Sequence, residues 1–277
     1  MAKSKPTYVR KGHEVISAIQ ALAGRHPTYQ IFQDFLECSA ISISNCVDWG
    51  EREKREEKYL QIINKYTSEE QKKLANILTS LVAAMQKQVE VDGAPCDILG
   101  EVFHGLELHN KYHGQFFTPN HVCEMMGLVV TGDETRHAIE KQGYVSLCEP
   151  CVGAGGMVIG YAAAMHKNKL NYQQNLCVTA CDIDLKCVHM AYLQLSLYGI
   201  PAVIIHGNSL TLEEWSKWYT PAYMLGMWPL RERRNIKDVN SAVKEKAVSD
   251  EAQISIEVPP TKDIELITTE NGQLCLF

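Results

Sequence analysis

The chain has 277 residues, of which 45% are hydrophobic, so it can bury a sizeable core and wholesale disorder is excluded. Its formal net charge is −6, which excludes the overall basic excess typical of a protein that holds duplex DNA alone. The first residues lack the apolar segment of a signal peptide, and no apolar run is long enough to span a bilayer. We therefore expect a cytoplasmic protein with reduced cysteines and no membrane partner.

Residues 1–95 are predicted to form an N-terminal helical domain. Thr28 is predicted to cap a helix, and Ser68 and Gln71 have the spacing of a capping box. Apolar residues follow this box at helical spacing, which predicts an amphipathic helix: Leu74, Ile77, Leu78, Leu81, Val82 and Met85. Residues 92–95, Asp-Gly-Ala-Pro, interrupt the pattern, so the domain border is predicted there.

In residues 96–230 short apolar runs alternate with helical patterns. Helices are predicted to start at Asp97 and near Asn120. Strands are predicted over residues 144–148, 176–181 and 201–206, with helices over 157–166 and 184–198. This alternation predicts an α/β core with a parallel, doubly wound sheet. Trp215 and Trp218 are three residues apart, which favours a helix that packs on the core.

Three consecutive predicted strands end in residues suited to ligand binding. Residues 147–157 place glycines and a helix start after the first strand, where the backbone can approach an anionic group. Asp182 ends the second strand, where its carboxylate can bind both ribose hydroxyls, and Ile183 can pack on the base. Asn208 ends the third strand and can bind an adenine edge. The alternatives are a simple strand-to-helix turn, helix capping by Asp182 and Asp184, and a turn asparagine.

These segments resemble the adenine-N6 DNA methyltransferases, specifically the modification (M) subunits of type I restriction systems. Residues 114–119, Gly-Gln-Phe-Phe-Thr-Pro, are close to the segment that precedes the cofactor loop in that family. Residues 149–156 are similar to its Asp-Pro-Cys-Gly-Gly-Thr-Gly-Gly loop, and the strand ends at 182–184 and 207–210 also fit. The likeness covers residues 25–212, including N-terminal helices that resemble the helical domain of those subunits.

The resemblance implies a Rossmann-like class I methyltransferase core that binds S-adenosylmethionine. Such enzymes flip a target adenine out of the duplex and methylate its exocyclic nitrogen. By this resemblance Thr118 and the glycine loop hold the methionine end of the cofactor, Asp182 holds the ribose, and Asn208, usually an aspartate in the family, faces the adenine. The positions predicted to bind the cofactor are Phe117, Thr118, Pro119, Glu149, Gly153, Gly155, Asp182, Ile183, Asn208 and Ser209.

The catalytic signature of that family, Asn/Asp-Pro-Pro-Tyr/Phe, does not occur in the sequence. The nearest candidate is Thr220-Pro221-Ala222-Tyr223, in which Thr220 would replace the polar residue, Pro221 keeps one proline and Tyr223 supplies the ring. Two functions therefore stay open: an adenine-N6 DNA methyltransferase or M-like subunit, and a cofactor-binding relative that has lost catalysis and regulates or binds DNA or a partner. A small-molecule methyltransferase is a third interpretation.

Sequence specificity for DNA is expected to come from another subunit, because residues after 230 leave no room for a target-recognition domain. Residues 231–277 are charged and low in aromatic residues, which predicts a flexible tail. Its last five residues resemble the Gln-Leu-x-Leu-Phe peptide that binds the bacterial sliding clamp. In that interpretation Leu274, Leu276 and Phe277 are apolar anchors and Gln273 fixes the orientation. The alternative is that these residues pack on the chain's own core.

The cysteine spacing raises the question of a metal. Cys148 and Cys151, with Cys177 and Cys181 downstream, could form a zinc site. The glycine loop already accounts for the first pair, however, so no metal is predicted.

Overall fold

The computed structural model describes residues 11–108 and 116–232, which belong to one compact unit that ends at Glu232. The terminal residues predicted to bind a sliding clamp, and all but the first two residues of the predicted tail, lie outside the described part. None of the described helices is long and apolar enough to cross a membrane.

Helices dominate the first part of the chain and alternate with strands in the second. The helices are α1 His13–Gln20, α2 Thr28–Ser44, α3 Arg52–Ile63, α4 Ser68–Asp92, α5 Ile98–Gly105, α6 Asn120–Val130, α7 Asp133–Gln142, α8 Gly156–Lys167, α9 Tyr172–Asn175, α10 Leu185–Leu197 and α11 Pro221–Leu225. The strands are β1 Val145–Glu149, β2 Leu176–Asp182, β3 Ala202–Asn208 and β4 Glu213–Tyr219.

Two helix starts differ from the sequence prediction. The capping box of α4 is formed by Thr67 and Glu70, one residue earlier than predicted, and the Glu70 carboxylate accepts a hydrogen bond from the Thr67 N–H at 2.8 Å. Gln71 instead donates to the Tyr66 carbonyl at 3.0 Å. Thr28 is the first residue of α2 rather than its cap, because Pro27 holds the N-cap position and no side chain caps this helix. Both predictions were wrong in register, although both helices exist.

The N-terminal helices share one hydrophobic core with the sheet. The buried cluster contains Phe32 and Leu81 together with Val178 and Ile204 of the strands. The Arg55 guanidinium also joins the two parts, since it donates to the Lys217 carbonyl at 2.8 Å. The border predicted between residues 95 and 96 therefore does not coincide with a break in the packing.

The sheet contains β1, β2, β3 and β4 in that spatial order. The first three strands are parallel, as predicted, and β4 pairs antiparallel with β3. Among the described strands the order does not reverse, and such a reversal characterises a doubly wound sheet. The described sheet is thus a parallel-rich α/β sheet that is wound in one direction, and the doubly wound order predicted from the sequence is not found in it.

The helix predicted around Trp215 and Trp218 is strand β4, so that prediction was wrong. The pairing of β4 with β3 is irregular between His206 and Gly207, where Trp215 has no direct partner, so regular alternation of faces is interrupted between the two tryptophans. Trp218 is buried against Tyr192, with ring centroids 5.4 Å apart, whereas Trp215 is 51% exposed beside His206.

Beyond β4 the chain crosses the amino end of the sheet. Tyr223 and Trp228 pack there with Tyr144 and Cys177 in a second, smaller cluster. Arg231 lies over the Trp228 ring at 3.7 Å, which ties the end of the described segment to this region.

Candidate functional site at the carboxyl end of the sheet

Two hydrogen bonds from backbone N–H groups hold the glycine loop against the neighbouring strand. The Val152 N–H donates to the Cys181 carbonyl, and the Gly153 N–H donates to Asp182 Oδ2, both at 2.8 Å. Gly153 and Gly155 have φ values of 55° and 94°, which favour glycine over other residues. The loop between β1 and α8 is therefore held in one conformation beside Asp182.

A cavity of about 230 Å³ lies between this loop and the residues before α6. Four of the predicted cofactor positions line it: Phe117, Thr118, Gly153 and Asp182. A Cβ atom at Gly153 would lie 3.1 Å from Phe117 Cδ1, so a side chain there would press on the ring that closes the cavity. Gly114 and Gln115, which precede this aromatic segment, lie outside the described residues.

Other predicted positions support the cavity without lining it. Pro119 is the N-cap residue of α6, and the Glu149 carboxylate accepts a hydrogen bond from the Cys151 N–H at 3.1 Å. A Cβ atom at Gly155 would lie 3.5 Å from the Cα atom of Ala191, an ordinary contact with α10, so its φ of 94° rather than its packing favours glycine there.

The remaining predicted positions follow β2 and β3 at the same edge of the sheet. Asp182 also accepts from the Asp184 N–H at 2.9 Å, and Ile183 is 63% exposed beside it. Asn208 Oδ1 accepts from the Leu210 N–H at 3.0 Å, the role of a turn asparagine, and Ser209 follows in that turn. Asn208 and Ser209 do not line the cavity.

Asp97 lines the cavity, although the sequence pointed to it only as a helix start. Its Oδ1 atom caps α5 by accepting from the Gly100 N–H at 2.6 Å and also accepts from Gln194 Nε2 at 2.7 Å. Gln194 donates in addition to the Ala154 carbonyl at 2.7 Å, which links Asp97 to the glycine loop. Burial raises the pKa of the Asp97 carboxyl group, and these hydrogen bonds only partly oppose that effect.

The start of α8 also faces the cavity. This helix has 12 residues, its first turn contains no acidic side chain, and no side chain caps it. Gly156 and Met157, its first two residues, line the cavity. A helix start of this kind presents N–H groups and positive potential to an anion.

The predicted catalytic segment is at the other end of the sheet, so the assignment of Thr220, Pro221 and Tyr223 is corrected. Because β4 runs antiparallel, its last residues lie next to Ala202, where β3 begins. The length of β3 separates them from the glycine-loop edge by about 20 Å at 3.3 Å per residue. Thr220 is fully buried and caps α11, Pro221 begins that helix, and Tyr223 is 5% exposed.

A larger cavity, of about 320 Å³, lies between α4, α6 and α8. Its charged side chains are paired with each other, since Lys11 contacts Asp92 at 2.9 Å and Lys167 contacts Glu124. Because these charges are already neutralised, this cavity is a weaker candidate for an ionic ligand.

The cysteines predicted not to form a metal site are spread over the sheet. Cys148 and Cys151 are exposed at the glycine loop, whereas Cys177 is buried near the amino end. Within residues 11–108 and 116–232, no group of three or more His, Cys, Asp or Glu side chains is arranged to hold a metal ion.

Comparisons with known proteins found a sequence family and a solved structure to which this chain is similar. Residues 96–233 match the sequence profile of the family described as N-6 DNA Methylase. No curated protein sequence matches the chain. Among solved structures, a type I restriction-modification system methyltransferase subunit from Streptococcus thermophilus is similar, with 15% identity and a TM-score of 0.36. That alignment covers 74% of this chain and 59% of the other, so this chain spans less than two thirds of that subunit.

Proposed function

We propose that the chain is a member of the N-6 DNA methylase family, whose profile residues 96–233 match, and that its carboxyl-end cavity binds S-adenosylmethionine. The observation that carries this proposal is that one cavity is lined by Phe117, Thr118, Gly153 and Asp182, from three separate parts of the sequence. When bound, the cofactor would supply an activated methyl group. The chain would act as an adenine-N6 DNA methyltransferase or as the M-like subunit of a modification system.

The chemistry of the lining fits the parts of this cofactor. The uncapped start of α8 suits the carboxylate of the methionine moiety. Asp182 retains acceptor capacity beside the backbone N–H groups that it binds, which suits the ribose hydroxyls. The cavity of about 230 Å³ is smaller than typical ligand pockets of about 300–1,000 Å³. We therefore propose that the adenine lies on the open edge, against exposed Ile183 and near Asn208 and Ser209.

A second candidate function is a cofactor-binding relative that does not transfer the methyl group itself. It is favoured by the burial of Thr220 and Tyr223 at the opposite end of the sheet and by the lack of Asn/Asp-Pro-Pro-Tyr/Phe in the sequence. In both cases we propose DNA as the partner, with specificity supplied by another subunit. The sliding clamp stays a predicted partner of Gln273, Leu274, Leu276 and Phe277, which a binding experiment with a peptide of residues 268–277 would test.

Calorimetry with S-adenosylmethionine and S-adenosylhomocysteine tests the binding proposal. The wild-type chain should bind both, and Asp182→Asn should weaken binding by roughly tenfold or more, because hydrogen bonds to a charged group are lost. Asp184→Asn is the matched control, since Asp184 caps α10 and asparagine caps a helix equally well. Absence of binding by the wild-type chain would contradict the proposal.

Transfer of labelled methyl groups to DNA separates the two candidate functions. Incorporation at adenine N6, with the chain alone or with host extract, would support the methyltransferase. Cofactor binding without incorporation under either condition would support the non-catalytic relative.

A further inference from the structure

The inner wall of the cavity contains a buried carboxylate that uses only one of its two oxygens. Asp97 is 3% exposed, and its Oδ1 atom accepts from the Gly100 N–H and from Gln194 Nε2. Its Oδ2 atom has no hydrogen-bond or ion-pair partner in the described part of the chain, although Asp97 lines the cavity. A buried carboxylate normally has its charge paired, so this oxygen is suited to a cationic ligand group.

The Oδ2 atom of Asp97 lies beside the start of α8. A Cβ atom built at Gly156 would lie 3.4 Å from Asp97 Oδ2, so the negative oxygen and the positive helix start are neighbours at the same cavity wall. A zwitterionic amino-acid group carries its ammonium and its carboxylate on one carbon atom. Its carboxylate would therefore face the helix start while its ammonium reaches Oδ2.

We propose that Asp97 binds the α-ammonium group of the amino-acid moiety of the cofactor. This inference rests on the proposed function, because it requires an S-adenosyl amino acid in the cavity. The Oδ1 atom of Asp97 accepts a hydrogen bond from Gln194. This glutamine is fully buried and also donates to the Ala154 carbonyl. One carboxyl group thus joins the glycine loop to the ligand.

The test compares three probes by calorimetry: S-adenosylhomocysteine, its analogue with hydrogen in place of the amino group, and 5′-methylthioadenosine, which lacks the amino-acid end. Wild-type protein should bind the des-amino analogue roughly tenfold or more weakly than S-adenosylhomocysteine, because a charge-assisted hydrogen bond is lost. Asp97→Asn keeps the Oδ1 acceptor and removes the charge. It should bind the first two probes with similar, weak affinity and bind 5′-methylthioadenosine as the wild type does.

The proposal would be overturned if the wild type bound S-adenosylhomocysteine and its des-amino analogue equally well. It would also be overturned if Asp97→Asn distinguished these two probes as strongly as the wild type does. Because the first comparison uses unmodified protein, it can overturn the proposal even where the variant does not fold. Asp97→Ser, which also caps a helix, is a second variant and should likewise lose discrimination. If the wild type binds none of the three probes, it is the proposed function that fails.

Discussion

At the amino end of the sheet a threonine and a tyrosine are buried and hydrogen-bonded, whereas at the carboxyl end a threonine and an aspartate face a cavity. The Thr220 hydroxyl donates to the Ile200 carbonyl and accepts from the Ala202 N–H, both at 2.9 Å, and Tyr223 donates to Glu232 at 2.6 Å. At the other end Thr118 is exposed, and Asp97 Oδ2 is unpaired among the described residues. Complete pairing indicates a structural role, and unpaired polar atoms at a cavity indicate binding.

Substitution of Trp228, with the greatest predicted loss of stability, tests whether the amino end of the sheet contributes only to stability. Trp228 is 1% exposed and packs edge-on against Tyr144 with ring centroids 5.1 Å apart. Trp228→Ala should lower the free energy of unfolding by about 3–5 kcal/mol, because a large buried ring leaves a cavity. Urea unfolding measures this, with Trp215→Ala, at a half-exposed tryptophan, as the control expected to change stability by about 0.5 kcal/mol or less.

Calorimetry on folded Trp228→Ala should give the wild-type affinity for S-adenosylhomocysteine. Weaker binding by the folded variant would mean that the two ends of the sheet are energetically coupled, and it would contradict separate roles for them.

The next effect distinguishes a structural Thr220 from a catalytic one. Thr220→Val removes the hydroxyl and leaves the buried Ala202 N–H without this acceptor, which should cost about 1–3 kcal/mol. The expected change is in stability, measured by urea unfolding, with cofactor affinity unaltered. Thr179→Val is the matched control, because Thr179 is an exposed threonine on β2. A loss of DNA methylation with unchanged stability would restore the catalytic assignment.

The sequence could predict the parallel strands because short apolar runs, ending near Glu149-Pro150 and at Asp182, alternate with helical patterns. It could also predict that Gly153 and Asp182 meet, because the ends of parallel strands share one edge, whereas Phe117 and Thr118 were placed there only by the resemblance to the methyltransferase family. It could not place Trp215 and Trp218, because a spacing of three fits a helix face and the irregular pairing of β4 at Trp215 leaves no pattern in the sequence.

The capping box and Asp97 show two further limits of prediction from the sequence. Thr67 with Glu70 and Ser68 with Gln71 have the same spacing, so only the backbone conformation decides between them. The unused oxygen of Asp97 depends on how Gln194, far along the chain, satisfies the other one. Such pairing is a property of the tertiary structure and leaves no local pattern in the sequence.

A buried histidine lies away from the cavity. His189 Nε2 has no partner within the described ranges, and its ring lies 4.8 Å from that of Trp218. Burial, with the charges of His206 and Arg55, lowers the pKa of His189 to about 3. An unfolded histidine titrates near pH 6.5, so the unfolded chain takes up the additional proton as the pH falls below that value.

The stability due to neutral His189 is therefore fully present above about pH 6.5 and is lost towards pH 3, by up to about 1.4 kcal/mol per pH unit. Urea unfolding at pH 7.0 and pH 5.5 should show a steeper loss for the wild type than for His189→Phe. Equal slopes would mean that His189 is not held neutral by the fold.

Alanine substitutions at two glycines separate the effect of backbone strain from that of contact with the cavity wall, and their predicted cost in stability is low. Gly153 and Gly93 both have positive φ values, 55° and 70°, but a Cβ atom at Gly93 would meet nothing within 4 Å, whereas one at Gly153 would lie 3.1 Å from Phe117. Each substitution to alanine should therefore cost about 1 kcal/mol of stability from the left-handed backbone. Only Gly153→Ala should displace the Phe117 ring and weaken S-adenosylhomocysteine binding, by roughly tenfold or about 1.4 kcal/mol. Calorimetry that finds equal affinity in both variants would show that Phe117 does not close the ligand cavity, and the comparison of the two ends would then rest on Asp97 and Asp182.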